Sequence, residues 1–458
     1  MHPYRWLALI GISLLAFIAF LDITIVNTAI PYIQETFKTS VLKLQWVSNA
    51  FTLLLSMTYI AAGNISDRFG QKKTFFTGVF LFAIASWGAG ASPSLSFLIF
   101  ARALQGLATS LIYTSSTAML TTLFPQEEHP KAVSLYTGII GTGLMAGPAV
   151  GGLLVGWLNW RWVFWINIPA FLIGLLLCAW SAKAPWPDRP AKTPRPIDLK
   201  SLLLLIIGLA LFTYGTITGA EKGWMHVETL LPFGIGLVAL ITLTLLDLRM
   251  EHPLLELEIF KNRLLLLAIF SCIVAGLVSR VFIFFDPLYL KTVRSLSPFA
   301  IGFLVSVLPA AQVLLSLFFA RLIKRFGVAR LLLFSILSAC FAAWMHTVFG
   351  EHFPYSVLVI ALFMLGINWG LSTACMVSSA RQEVAPEKAG AVIGTISTLW
   401  NIVGCLMLAI SSGLFHTIQI KTEGAFLPGF HAVAFLNAFF ISLVLAGALL
   451  IYGSLKKQ

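Results

Sequence analysis

The sequence predicts an all-α integral membrane protein of about fourteen transmembrane helices, and three observations carry that expectation. Hydrophobic residues make up 59% of the 458-residue chain and charged residues only 10%, whereas soluble domains usually carry about 25% charged residues. Apolar runs of roughly 20 residues, enough to cross a bilayer as a helix, recur along the whole chain. The basic residues then sort to alternate loops. A chain this apolar cannot hide its surface from water by folding on itself, so lipid is the expected solvent.

Taken in order, the apolar runs place helices near 6–28, 44–63, 73–92, 95–120, 132–155 and 161–181. The first run, beginning after Arg5, mimics a signal peptide, but it is longer than a signal core and no small-residue cleavage site follows it. It is therefore kept as the first span. A polar stretch, KAPWPDRPAKTPRPIDLK, comes next, with five prolines between Lys183 and Lys200. Two helices near 200–220 and 229–247 precede a second polar stretch, DLRMEHPLLELEIFKNR. Six more are expected near 263–286, 298–320, 330–349, 355–379, 389–412 and 431–453. The organisation is an N-terminal six-helix bundle over 1–181, linkers with two additional helices over 182–262, and a C-terminal six-helix bundle over 263–458.

With the N-terminus placed inside, 21 of the 30 Lys and Arg residues fall in inner segments, seven in outer segments, and Arg102 and Arg280 within helices. This bias obeys the positive-inside rule with both termini cytoplasmic. A thirteen-helix count would reverse the later loops and spoil it. The net charge of +12 is thereby explained without nucleic acid.

Other function classes find less support in the sequence. The five cysteines, Cys178, Cys272, Cys340, Cys375 and Cys405, sit in apolar runs with no metal-ligand spacing and read as packing residues. No P-loop, HExxH or nucleophilic triad is present, so no cofactor or metal is expected and ATP is not an energy source within this chain. A membrane receptor or sensor that does not transport stands as a third option; it would need a signalling domain or long tail, and only GSLKKQ follows Tyr452. A channel would need a repeated pore loop. An integral-membrane enzyme would need clustered intramembrane His or acidic residues, and His346 and His416 read as isolated near helix ends.

Charges inside the bilayer are costly and ask for a reason. Asp22 lies about 24 Å from the inner surface, Arg102 about 10 Å below the outer one, and Arg280 about 25 Å from the inside, taking 1.5 Å per residue. All three reach the outer half of a hydrocarbon core of about 30 Å, where an acid and two bases can share a cavity. Burial disfavours a charged carboxylate and a neighbouring guanidinium favours it. The balance can make protonation of Asp22 respond to a moving partner. The competing reading is a static buried ion pair. Arg280 could bind substrate, or pair with Asp286, although residues six apart do not share a helix face.

Glycines mark two further places. In GTGLMAGPAVGGLLVG, Gly143, Gly147 and Gly151 recur every four residues, and Gly152 and Gly156 form an adjacent stripe. Small-xxx-small stripes allow close helix contact in lipid, and Pro148 removes a backbone hydrogen bond. An ordinary packing seam and a specialised hinge or seal both fit. In GNISDRFGQKK, Gly63 and Gly70 permit a tight turn and close backbone approach, while Asp67, Arg68, Lys72 and Lys73 sit at the membrane edge.

Together these segments resemble the major facilitator superfamily, and within it the fourteen-helix drug:proton antiporters. GNISDRFGQKK is similar to the signature loop between helices two and three, through Gly63, Asp67, Arg68, Gly70 and Lys72. IFARALQG is similar to the fourth-helix motif, through Arg102 and Gly106. GTGLMAGPAVGG is similar to the fifth-helix antiporter motif, through Gly143, Gly147, Pro148, Gly151 and Gly152. LDITIVNTAIP, NWRWVFWINIPAFLIG and PLLELEIFKNR also resemble segments of that family. The resemblance implies the major facilitator fold: two six-helix bundles, here with two extra helices between them, and alternating access. It implies that Asp22 and Arg102 couple protons, that Asp67 and Arg68 form a cytoplasmic latch, and that the glycine-rich helix seals against leak. A bacterial inner membrane and a monomer are likewise implied. The chain departs from the pattern at ARLIKRFGVAR, where Lys324 stands in place of an acid, at the extra charges Arg280 and Asp286, and at Asn401, where a basic residue often occurs.

Midplane polar and aromatic residues complete the reading. Asn368, Trp369, Trp400 and Asn401 fall near the bilayer centre by helix rise, Trp46 and Asn49 near the outer mouth, and Tyr113 deeper. Aromatic walls with a few polar groups suit amphipathic ligands. The expected function is proton-driven export of a small amphipathic or drug-like molecule across the lipid bilayer, with the proton gradient as energy source. The alternative is export of an endogenous anionic metabolite such as a siderophore.

Overall fold

In lipid, a helix satisfies its own N–H and C=O groups without water, which is why apolar runs of this length fold as they do. The computed structural model describes residues 3–181, 199–223, 225–247, 257–384 and 386–455, all helices and short connections. The proline-rich stretch 182–198, residues 248–256 of the second linker, Lys456 and Lys457 lie outside the described residues. The order is α1 Pro3–Phe37, α2 Val41–Leu44, α3 Trp46–Phe69, α4 Gln71–Gly90, α5 Leu95–Leu123, α6 His129–Trp157, α7 Trp162–Trp165 and α8 Asn167–Trp180. It continues with α9 Leu199–Lys222, α10 Val227–Asp247, α11 Arg263–Leu277, α12 Ile283–Thr292, α13 Pro298–Val305, α14 Val307–Phe326, α15 Val328–His346, α16 Tyr355–Glu383, α17 Pro386–Lys421 and α18 Phe426–Leu455.

Among the described residues, twelve helices are long and apolar enough to cross a membrane. Helices α3 and α4, at the places expected for the second and third spans, are not among the twelve. Their composition explains this. Helix α3 carries Ser48, Asn49, Thr52, Ser56 and Thr58 and ends on Asp67 and Arg68, and α4 opens on Lys72 and Lys73.

The chain forms two compact units. The first comprises Met1–Thr39, Trp46–Leu202 and Ser297–Phe303. Inside it α1 packs along α6 and α8, and α5 packs between α3 and α4. Its core gathers Phe51, Phe75, Phe82, Phe171, Ile112 and Tyr136. The second comprises Ser40–Gln45, Leu203–Leu296 and Leu304–Gln458. Here α16 packs on α14 and α15, α11 on α16 and α17, and α15 on α18. Helices α9 and α10 pair through stacked Phe212 and Phe233, 4.5 Å between centroids, with Gly215 and Gly236 admitting the opposite backbone. Phe80, Trp87, Phe100, Phe303 and Leu450 are exposed, as lipid-facing side chains must be.

Three local expectations are corrected. Helix α1 runs through Pro31 to Phe37 instead of ending near 28. Helix α3 continues past Gly63 to Phe69, so NISD is helical and the turn falls at Gly70 alone, whose φ of 99° suits glycine. Gly63 has nothing within 4 Å of where a Cβ would stand, so it makes no close approach. The junction between α14 and α15 repeats the device with Gly327 at φ 76°, despite Lys324.

Gly106 shows what a close approach looks like. A Cβ there would lie 2.1 Å from the Phe51 carbonyl oxygen on α3. Gly106→Ala is expected to push α3 off α5 and cost about 1–3 kcal/mol, read as a lower unfolding temperature of the purified protein in detergent.

Candidate functional site

The first unit brings Asp22 and Arg102 together, as their depths suggested. Asp22 is wholly buried on α1 and Arg102 is 2% exposed on α5. Arg102 Nη1 donates to Asp22 Oδ2. The opposite carboxylate oxygen, Oδ1, accepts from Asn167 Nδ2 at 2.8 Å and from Gln105 Nε2 at 3.3 Å. Ser86 Oγ on α4 ties both donors, at 2.8 Å to Gln105 and 3.2 Å to Asn167. Arg102 also donates to Gln105 Oε1 at 2.8 Å and, through Nε, to the Val47 carbonyl at 3.0 Å. Its guanidinium carbon lies 4.3 Å from the Phe51 ring centroid and 5.8 Å from that of Phe164, a cation–π placement worth more once water is removed.

Four helices therefore converge on one carboxylate: α1, α4, α5 and α8. A buried polar network of this kind is strong when complete and costly when one member is lost. Its dependence on α5 and α8 makes it sensitive to any shift of α1. Gln105, Asn167 and Ser86 were not singled out from the sequence. Gln105 stands three residues after Arg102, hence on the same helix face, and Asn167 lies in NWRWVFWINIPAFLIG. Those were the available signals.

The glycine stripe sets where α1 sits. Gly143 meets the Phe17 carbonyl, Gly147 meets Thr24 and Leu21, and Gly151 meets Thr28 and Ile25. A Cβ on Gly147 would stand 2.0 Å from Thr24 Oγ1, and that hydroxyl already donates to the Leu144 carbonyl at 3.0 Å. Gly152, on the adjacent stripe, faces Pro298 and Gly302 within the same unit. Pro148 lies inside α6. The α1–α6 contact thus holds the helix that bears Asp22.

The remaining candidates separate by unit. In the first, Tyr113 sits 5.2 Å from Phe20 and 5.4 Å from Tyr59 between ring centroids. Trp46 opens α3 and Asn49 is fully buried one turn on. Asp67 is half-buried, Arg68 is exposed beside Phe69, and Gly70 caps α4, whose first turn holds Lys72. In the second unit, Arg280 Nη2 donates to Asn401 Oδ1 at 3.0 Å. Trp369 and Trp400 meet edge to face at 6.5 Å, and Trp400 Nε1 donates to Ser279 Oγ at 3.3 Å. Asn368 is instead buried in a helix seam, where it donates to the Ser335 carbonyl at 3.0 Å and faces Ser372.

Two expectations about the ninth span change. A π-helical turn, Val278–Phe282, separates α11 from α12, and Arg280 and Asp286 have different partners. His346 is not isolated: its Nε2 lies 3.4 Å from Asp286 Oδ1, with both side chains buried.

Comparison with known proteins places this architecture. Residues 12–408 match the Major Facilitator Superfamily. The chain is 28% identical over 431 residues to the multidrug resistance protein Stp of Mycobacterium tuberculosis, covering 93% of this chain and 79% of that one. It is 30% identical over 437 residues to the puromycin resistance protein pur8 of Streptomyces alboniger, with 93% and 84% covered. It is 28% identical over 417 residues to the riboflavin transporter RibZ of Clostridioides difficile, with 90% and 88% covered. Among solved structures, a peptide transporter POT in complex with sulfate superposes with a TM-score of 0.71 at 16% identity, over 97% of this chain and 94% of that one, and shows the shared fold. A match over most of the chain, relatives along nearly its full length and a common all-helical fold agree: the chain belongs to the Major Facilitator Superfamily, a family of membrane transporters.

Proposed function

We propose that this protein is a proton-coupled antiporter that exports small amphipathic molecules by alternating access. The carrying observation is the Asp22 carboxylate, wholly buried yet bound by Arg102, Gln105 and Asn167. Such a group can accept a proton only if its partners shift, so protonation and conformation are tied. Relatives named for multidrug and puromycin resistance support export of drug-like compounds. The proton gradient supplies the energy, with no bound cofactor. Fourteen spanning helices, a bacterial inner membrane with cytoplasmic termini, and a monomeric state belong to the same reading. So do the latch role of Asp67 and Arg68 and the sealing role of the Gly143–Gly152 stripe.

Trp46, Asn49, Tyr113, Trp369, Trp400, Asn401 and Arg280 are the proposed substrate contacts. Asn368 belongs to the same proposed set through its amide oxygen, since its Nδ2 already donates to the Ser335 carbonyl. The Arg280–Asn401 bond favours a second reading, an anionic or carbonyl-rich solute, since a guanidinium beside an amide can hold a carboxylate or imide. A relative named as a riboflavin transporter is compatible with that chemistry.

The test is transport by purified protein in sealed proteoliposomes under an imposed pH gradient, using puromycin, ethidium and riboflavin as probes. Gradient-dependent movement of puromycin or ethidium is expected for the first reading. Arg280→Ala is expected to lower transport of riboflavin by about ten- to a hundredfold while leaving a cationic probe within about twofold, the loss of one charge-assisted contact being worth roughly 1.5–3 kcal/mol. Equal effects on both probes would remove Arg280 as a determinant of which solute is carried.

A further inference from the structure

We propose that Asp286 and His346 form a second proton-binding site, in which one exchangeable proton is held between a carboxyl oxygen and the imidazole Nε2 inside the second unit. The site's part in transport rests on the proton-coupled reading above; its existence as a proton site does not.

The geometry defines how many protons the pair carries. His346 Nδ1 lies 2.7 Å from the Ala342 carbonyl. A carbonyl only accepts, so Nδ1 bears a hydrogen and Nε2 is the nitrogen whose protonation can change. Nε2 faces Asp286 Oδ1 at 3.4 Å, and among the described residues no other donor reaches either carboxylate oxygen. One proton between them gives either a carboxylic acid facing a bare nitrogen or a carboxylate facing an imidazolium, both without net charge. Removing it sets two lone pairs face to face around a buried negative charge. Adding another buries a positive one. Neither state is tolerable in place, so gain or loss of the proton must move the helices that carry the two groups.

Contrast with Asp22 separates this pair from a merely structural one. The Asp22 carboxylate accepts from Arg102, Gln105 and Asn167, whereas among the described residues Asp286 has one partner, at more than hydrogen-bond length. Aromatic rings close the site: Phe349 lies 4.5 Å and Phe282 4.6 Å from the imidazole centroid, and Phe430 lies 6.4 Å away. The ionisable groups on neighbouring elements point elsewhere. On α12, Tyr289 donates to the Gly350 carbonyl at 2.7 Å. Arg294, after α12, donates to the Phe353 carbonyl at 2.6 Å and lies over Tyr355 of α16. On α18, His431 Nε2 contacts the Phe349 carbonyl at 2.5 Å. Among the described residues, Glu351 and His352 after α15, and Cys405 and His416 on α17, make no hydrogen bond to the Asp286 carboxylate or to His346 Nε2.

The backbone around Asp286 departs from a regular helix. The π-helical turn Val278–Phe282 precedes it and Pro287 follows it, so the regular hydrogen-bond ladder is interrupted on both sides. Arg280 lies in that π-turn and bonds Asn401. A change of protonation at Asp286 therefore acts on the segment that positions Arg280.

The test is pH-dependent infrared difference spectroscopy of the purified full-length protein in lipid nanodiscs, with protons as the only ligand, alongside 15N spectra of ring-labelled histidine. A protonated-carboxyl band is expected that Asp286→Asn removes and Asp22→Asn leaves, and His346→Gln should shift the pH interval over which it changes. The His346 ring resonance should gain or lose its Nε2 proton over the wild-type interval. If His346→Gln does not fold, Asp286→Asn still displaces that resonance and identifies it. A His346 ring locked in one protonation state wherever the protein stays folded, with wild-type and Asp286→Asn infrared differences superimposed, overturns the proposal. No transport is measured, so that result leaves the Asp22 reading intact, and failure of the Asp22 reading in vesicles leaves this one intact.

Discussion

Asp22→Asn is expected to reduce pH-gradient-driven transport to the level of protein-free vesicles while preserving solute exchange in the absence of a gradient. The substitution keeps the volume of the side chain and its capacity to accept from Asn167 and Gln105 through Oδ1. It removes the negative charge opposite Arg102 and the capacity to take up a proton. Arg102 keeps its bonds to Gln105 and the Val47 carbonyl and its place against Phe51, so the bundle retains most of its contacts. Proton-driven transport is lost because the site can no longer exist in two charge states. The measurement pairs gradient-driven uptake with counterflow, and counterflow controls for folding.

Arg102→Ala is expected to act mainly on stability. The substitution leaves the Asp22 carboxylate in a dry interior with only two neutral donors, and breaking a buried pair from one side costs about 3–5 kcal/mol. It also empties the space between Phe51 and Phe164. The double variant Asp22→Asn/Arg102→Ala should be more stable than Arg102→Ala alone, because the uncompensated charge is gone. A coupling of about 1–3 kcal/mol between the two positions is expected from a thermal-shift double-mutant cycle. Additive effects would mean that the pair is not electrostatically coupled as its contacts imply.

Charge in an apolar run is a loud signal, and so Asp22 and Arg102 were legible in the sequence as partners. Gln105, Asn167 and Ser86 were not, since an uncharged polar residue in a transmembrane helix has no pattern that separates a network member from a residue bonded to its own helix, as Thr52 and Ser56 are. The glycine stripe was legible because its four-residue period survives folding unchanged: Gly143, Gly147 and Gly151 do meet one helix. Gly63 misled because NISD is polar and reads as a loop, whereas an amphipathic helix end can carry such residues to the membrane edge. Asp286 was visible as an extra charge, but its partner lies 60 positions away on α15, and no spacing rule links the two. The π-helical turn before it, which changes the face on which Asp286 emerges relative to Arg280, leaves no mark in composition.

Coupling at Asp22 requires that a proton move against the solute, and one measurement reads this without an imposed pH gradient. Vesicles loaded with puromycin and a trapped pH-sensitive dye are diluted into puromycin-free buffer at equal pH. Wild-type protein is predicted to acidify the lumen as puromycin leaves, and Asp22→Asn to release it with no such change. Efflux through the wild-type protein at constant internal pH would contradict the assignment of Asp22 and Arg102 as the coupling site.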